Sequence, residues 1–374
     1  MTVDDTHTND DPRQGTGADL RDDDLPAADV IICAYTPERE ASLRRAIASV
    51  VDQDQADRVV VVVDHSPELF AALCGDATLG ARVAVVENAY EQGLSGARNT
   101  GVECATAPVV AFLDDDACAE PGWLEAIRRA HADTAVVGTG GWVAPEWEDG
   151  VRPAWLPEEF LWVVGCSYRG LPTEPMSAIR NPIGASMSFL RVPLQDVGGF
   201  RSGFGRIGTT PLGCEETEAA IRVRGGLPGS KIVQLTDSRV GHFVPRTRTS
   251  WRYFRERCLA EGRSKAMVAG AAGTRDGLSS ERSYVLRVLP GGVLRALGDA
   301  ARGDVAGVQR AGAIVAGLTL TSGGYLVGRR ELARAERGAG RPAMRTTIAV
   351  ASIGVAAALR ARYRARANRQ RGHR

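Results

Sequence analysis

The sequence predicts an α/β fold built on a mostly parallel, doubly wound sheet. Three features of residues 28–130 carry that prediction: short apolar runs, amphipathic segments between them, and a polar cluster at the end of each run. The first run, Val30-Ile31-Ile32-Cys33-Ala34, stops at Tyr35-Thr36-Pro37, as a buried strand entering a loop should. Between Ala41 and Val51, apolar Leu43, Ile47, Val50 and Val51 alternate with Arg44 and Arg45 at helical period. A second run, Val59 to Val63, closes at Asp64-His65-Ser66, and a third, Val83 to Val86, precedes Glu87-Asn88. Glycines in Gly93-Leu94-Ser95-Gly96-Ala97-Arg98-Asn99 then mark a loop giving way to a helix, and Val109 to Leu113 ends at Asp114-Asp115-Asp116. In such sheets ligands bind beyond the carboxyl ends of the strands, where these polar clusters lie.

The whole chain has 374 residues, 44% of them apolar, enough for a large domain with an appendage. Its net charge of +1 hides a split between an Asp-rich beginning and an Arg-rich end. The expected organisation is a disordered acidic leader over 1–27, a catalytic α/β domain over 28–265, and a helical, Arg-rich region over 266–374. The leader, with Asp22-Asp23-Asp24, has neither the basic start nor the apolar core of a secretory signal. Seven widely spaced cysteines with no C-x-x-C pair suggest neither a zinc site nor a disulfide framework, and predict a reduced, cytoplasmic protein.

Asp114-x-Asp116 is the most informative pair. Hard oxygen donors at a strand end suit Mg²⁺ or Mn²⁺, which bridges carboxylates to substrate phosphates; a solvated acidic turn is the plainer alternative. Later in the chain, Gly213-Cys214-Glu215-Glu216-Thr217-Glu218 adds a second acidic motif. A carboxylate there could deprotonate an attacking hydroxyl, or the acids could decorate an exposed helix N-terminus, favoured by its dipole.

The strand-one motif through Thr36, Val61-Val62-Val63-Asp64, the Gly93–Asn99 loop and Leu113-Asp114-Asp115-Asp116 together resemble the family 2 glycosyltransferases, in order and in spacing. The resemblance covers about residues 28–265 and implies a GT-A fold, a nucleotide diphosphate sugar donor and a divalent metal. It implies that Ala34, Tyr35 and Asp64 hold the base and ribose, and that Gly93 lets the backbone approach the nucleotide. Arg98 and Asn99 would stand nearby, Arg98 either compensating donor charge or tying the loop to the sheet by an ion pair. Asp114 would contact ribose or metal, Asp115 would join the nucleotide-contacting group, and Asp116 would ligate the metal. His242 stands where metal-dependent members of this fold place a third ligand, though a lone histidine is also a common structural residue. Glu216 is the candidate base, standing where the family has Asp, with Glu215 as the alternative; Glu218 is assigned to the dipole class.

Between the acidic motifs, Trp142 to Arg206 contains Trp147, Trp155, Trp162, Tyr168 and the polar stretch around Asn181 and Gly184. This segment is assigned to the sugar and acceptor pocket, since aromatics stack on sugars as well as filling cores. Cys33-Ala34-Tyr35-Thr36, Asp64-His65, Asn181-Pro182-Ile183-Gly184 and Trp251-Arg252-Tyr253-Phe254 resemble a subgroup described as glucosyl-dolichyl phosphate glucuronosyltransferase-like or as cell-surface polysaccharide enzymes. That subgroup implies a UDP-sugar donor and a lipid-linked acceptor; with a metal at Asp116 and a base at Glu216, the expected reaction is inverting transfer of a hexosyl or hexuronosyl unit by direct displacement.

The C-terminal third has two apolar stretches, Ala311 to Gly328 and Thr346 to Leu359, short or weakly apolar for a bilayer span of about 20 residues. An arginine tail follows, from Arg360 to Arg371. Peripheral association with the inner face of the cell membrane is expected, a packed helical appendage being the alternative. No nucleic-acid partner is expected, because the tail lacks a recognition module. Two other functions fit the sequence less well. A nucleotidyltransferase would need a basic phosphate-gripping loop after strand one, where Tyr35-Thr36-Pro37-Glu38 is not Gly/Lys-rich. A silent sugar-nucleotide-binding scaffold would have no use for the second acidic motif.

Overall fold

The computed structural model describes residues 24–53, 56–202, 213–272 and 282–338. The leader as far as residue 23, the apolar stretch 346–359 and the arginine tail lie outside the described residues.

The four apolar runs form β1 (Ala28–Ala34), β2 (Arg58–Val63), β3 (Val83–Glu87) and β4 (Val109–Asp114), all parallel, in the order β3-β2-β1-β4. In β1, β2 and β4 the continuous hydrophobicity reflects burial on both faces, while β3, at the sheet edge, is half-buried. Val30 and Ile32 of β1 share one core with Leu43 and Ile47 of α1 (Glu40–Val51). Ile31, pointing the other way, shares a second core with Ala97 and Val102 of α3 (Leu94–Cys104). Each such side chain taken fully from water contributes about 1.5–3 kcal/mol. The short helix α2 (Pro67–Cys74) connects β2 to the segment before β3.

Beyond β4 the sheet becomes mixed. It continues through β8 (Ser186–Leu190), β6 (Val136–Trp147), β9 (Lys231–Val244) and β5 (Ala117–Ala119), with β7 (Ser177–Ile179) also on β9. β6 and β9 run parallel over most of their length, while β4–β8, β6–β8, β5–β9 and β7–β9 are antiparallel. Helix α4 (Trp123–His131) packs its buried Trp123, Leu124 and Ile127 beneath this half, and α5 (Arg191–Asp196) and α6 (Glu215–Gly226) complete the domain. This is the expected α/β class with a C-terminal helical region.

That region begins with α7 (Trp251–Ala272), which runs straight through the expected boundary between residues 265 and 266. Ser264 on this helix accepts a hydrogen bond from the Gly213 N–H (3.2 Å), so the helix is part of the wall around α6. A π-turn (Tyr284–Val288), α8 (Leu289–Ala301) and α9 (Ala306–Gly338) follow. α9 lies against α7 closely enough that a Cβ on Gly262 would stand 2.1 Å from the Thr321 carbonyl oxygen. Tyr284 donates to the Glu159 carbonyl (2.5 Å) and accepts from Trp162 Nε1 (3.1 Å), docking the π-turn on the 3₁₀ segment Glu158–Val164. By length and composition, Ala306–Arg334 is long and apolar enough to cross a membrane; here it packs on α7 and α8.

Candidate active site

The carboxyl ends of β1, β2 and β4 and the first turn of α6 open into one cleft of ≈ 860 Å³. Ala34 and Tyr35 line it at the end of β1, Ala34 buried and Tyr35 exposed. Asp64, at the end of β2, accepts from the Gly93 N–H (2.9 Å) and Asn88 Nδ2 (2.6 Å), with His65 Nδ1 at 2.9 Å. The carboxylate therefore ties the end of β2 to the start of α3 as well as facing the cleft. Gly93 has φ 140°, a conformation that side-chain-bearing residues avoid, so glycine is needed for this approach.

Asp114, Asp115 and Asp116 all line the cleft at the end of β4. Register explains how a distant histidine reaches them: β5 pairs with β9 so that Ala117 lies opposite His242, and the Phe243 N–H donates to the Asp116 carbonyl (2.8 Å). His242 Nε2 consequently stands 3.2 Å from Asp116 Oδ1. Asp114, Asp116 and His242 each present a ligand atom, all within 4.8 Å of one another. Two hard carboxylates and one imidazole make a donor set that fits Mn²⁺ or Mg²⁺.

The acids do not stand alone. Arg39 pairs with Asp115 (2.8 Å) and also with Asp116, and Arg248 lies 3.5 Å from Asp116. Burial pushes the Asp115 carboxyl up to about 6, against the lowering influence of Arg39. Sequence reading passed over both arginines. Arg39 was legible as the first cation after the strand-one loop, and Arg248 as part of Arg246-x-Arg248 just past β9.

Arg98 is buried at the cleft wall and makes the ion pair that was one of its two alternatives. Its guanidinium donates to Glu215 Oε1 (2.7 Å) and the Gly184 carbonyl (3.3 Å), with Asp114 at 3.6 Å, so it ties α3 to α6 and β4. A Cβ on Gly184 would meet that guanidinium at 2.9 Å. Glu215 is thereby engaged in an ion pair, whereas Glu216, also at the cleft, accepts from the Thr217 hydroxyl (3.2 Å). Burial, and then the adjacent Glu215 charge, push the Glu216 carboxyl up to about 8. A carboxylate poised there suits proton abstraction near neutral pH. Arg98→Met should cost about 3–5 kcal/mol of stability in urea unfolding, because it leaves Glu215 buried without its cation. Most of that loss should return in the double variant Arg98→Met/Glu215→Met.

Two expectations need correction. Asn99 does not face the cleft: its amide donates to the Phe200 carbonyl and its oxygen accepts from the Phe200 N–H, both at 2.8 Å, which consumes the side chain. Glu218 is not on an exposed helix end. It is buried and paired with Arg222 (2.5 Å) and Arg201 (2.9 Å), fixing α6 against the turn at Val197 and Gly199. Asn181 lines the cleft, bonded to Arg180 Nε (2.8 Å) and the Pro182 carbonyl (3.1 Å). Of the aromatics, Trp162 and Tyr168 line the cleft, while Trp155 packs with Trp251 and Phe254. His131 is buried against the Ser188 hydroxyl (2.8 Å) and plays no part in the cleft. All seven cysteines are free thiols, and burial pushes Cys33, at the cleft wall, up to about 12, far from a nucleophile's range.

The chain belongs to the family 2 glycosyltransferases: the family model "Glycosyl transferase family 2" matches residues 29–197, and a relative covered over most of its length supports the assignment. The protein is a glycosyltransferase, and its sheet is the GT-A architecture expected of that family. That relative is the glucosyl-dolichyl phosphate glucuronosyltransferase of Haloferax volcanii, 35% identical over 243 residues, 64% of this chain and 76% of the relative. A pre-mycofactocin glycosyltransferase of Mycobacterium tuberculosis is 29% identical over 177 residues, 46% of this chain and 35% of its own length. Among solved structures, a mannosyltransferase of Pyrobaculum calidifontis in complex with GDP-Man and Mn²⁺ aligns with TM-score 0.48 at 18% identity. The alignment covers 89% of this chain and 86% of that one.

Proposed function

We propose that this glycosyltransferase inverts the anomeric centre of a UDP-hexose or UDP-hexuronic acid as it transfers the sugar to a hydroxyl of a lipid-linked acceptor. The observation that carries the reading is the meeting, in one cleft, of a carboxylate–imidazole group, Asp114, Asp116 and His242, with the Glu216 carboxylate, while its neighbour Glu215 is held in an ion pair by Arg98. One acid in position to take a proton suits a one-step displacement, which needs no covalent enzyme intermediate. Ala34, Tyr35 and Asp64 would receive the nucleoside, with the Gly93 backbone beside them. Asp114, Asp116 and His242 would hold a divalent metal, which when bound supplies positive charge to the leaving diphosphate. Arg39 and Arg248, already beside these acids, would add to that charge. Glu216 would deprotonate the acceptor hydroxyl, and Asn181 would border the sugar.

The lipid-linked acceptor is supported by the named activity of the Haloferax relative and by the C-terminal helices around the cleft. Those helices would hold the enzyme at the cytoplasmic face of a membrane, consistent with a role in cell-surface glycan synthesis. The test is nucleotide release from a panel of UDP- and GDP-sugars with Mn²⁺ or Mg²⁺. Release from one UDP-sugar, enhanced by a glycosylated isoprenyl phosphate, is the expected result. Turnover of GDP-sugars alone would refute the UDP assignment.

A further inference from the structure

The cleft extends past Glu216 into a wall that belongs to the C-terminal helices. On α7, Tyr253, Arg257, Glu261 and Lys265 recur every four residues and line it as one face. This face reaches the cleft beside the candidate base: Cys214, two residues before Glu216, places its thiol 3.9 Å from Glu261 Oε1. Lys265 Nζ lies 3.3 Å from the same carboxylate, so the face carries two cations against one anion. The neighbouring wall is mostly apolar, formed by Val285 and Leu289 with Leu318, Tyr325 and Leu326 of α9, between which Thr321 and Ser322 add two hydroxyls. The α9 residues again recur at helical spacing, and Leu326 is 58% exposed, so the apolar strip runs out to the protein surface. A polar sugar donor has no use for such a strip, whereas a ligand with an anionic head and a hydrocarbon chain matches both parts of it.

Resting on the lipid-linked reading above, we propose that Arg257 and Lys265 hold the phosphate of an isoprenyl-phosphate acceptor, and that its first isoprene units lie along Val285, Leu289, Leu318 and Leu326. The acceptor's sugar then extends from that phosphate toward Glu216, and the remainder of the chain leaves the protein at Leu326. Arginine and lysine side chains at a phosphate form charge-assisted hydrogen bonds, and the apolar strip selects for the chain.

The experiment uses the full chain without donor and follows the fluorescence of cleft-lining Trp162 as citronellyl phosphate, citronellol or inorganic phosphate is added. Citronellyl phosphate should bind at least about tenfold more tightly than either single-feature probe. Arg257→Gln/Lys265→Gln should weaken citronellyl phosphate by about tenfold or more and leave citronellol unchanged. Leu326→Asn, at an exposed position, should weaken citronellyl phosphate and leave inorganic phosphate unchanged, with thermal melting confirming that each variant is folded. The proposal is overturned if citronellyl phosphate binds no better than inorganic phosphate, or if the double variant binds it normally. It is equally overturned if the double variant weakens UDP–Mn²⁺ as much as citronellyl phosphate, since the cations then serve the donor diphosphate. Failure of the transferase reading itself would appear elsewhere, in the absence of nucleotide release from any sugar donor.

Discussion

Glu216→Gln is expected to reduce kcat for sugar transfer by about 10²- to 10⁴-fold, the usual worth of a general base, with nucleotide and metal affinity within a few-fold of wild type. Glutamine keeps the shape of the side chain but cannot take a proton, so the loss should fall on kcat. The pH profile gives an independent reading. A base must be ionised to work, and burial with Glu215 alongside holds this carboxyl well above its ordinary range, at about 8. Transfer should therefore be weak at low pH and rise toward a midpoint near pH 8. In Glu216→Gln the residual rate should lose that rising limb. The same raised carboxyl has a stability consequence: the folded state binds the proton more tightly than the unfolded one, so this group's contribution to stability falls as pH rises from about 4.5 to 8.

Asp116→Ala is expected to cost roughly 10³-fold in metal-dependent turnover, the rate equivalent of about 4 kcal/mol. Mn²⁺ affinity, followed by the spin signal of the free ion, should fall in parallel. Asp116 lies centrally among the charges of the site, near His242, Arg39 and Arg248. Its removal should therefore weaken Mn²⁺ more than His242→Ala does, because the imidazole is a neutral donor while the carboxylate brings charge.

The parallel half of the fold was legible because β1, β2 and β4 are buried on both faces and so read as unbroken Val/Ile runs, with α1 showing its period between them. The mixed half was harder to read. β6 opens as Val136-Val137-Gly138-Thr139-Gly140-Gly141, and its register against β9 shifts twice, features that no local pattern encodes. His242 was singled out by position along the chain, yet its approach to Asp116 depends on β5 pairing with β9, a contact between segments more than a hundred residues apart. Asn99 and Glu218 show the limit of motif reading. Each sits in a recognisable motif, but helix rotation turns Asn99 toward Phe200 and buries Glu218 against Arg222. The acceptor wall was invisible for a similar reason: Arg257, Lys265 and Leu318 acquire a common purpose only when α7 and α9 pack together around the cleft.

The most direct test of the central claim is sugar transfer itself. Purified full-length protein is incubated with UDP-sugars and a glycosylated short-chain isoprenyl phosphate, with Mn²⁺ or with a chelator, and product and released nucleotide are counted together. A metal-dependent transferase should give one UDP per glycosylated acceptor, invert the anomeric centre, stop on chelation and lose transfer in Glu216→Gln. Transfer that persists with chelator, or that proceeds normally without the Glu216 carboxylate, would contradict the assignment of this cleft as the place where metal and base act.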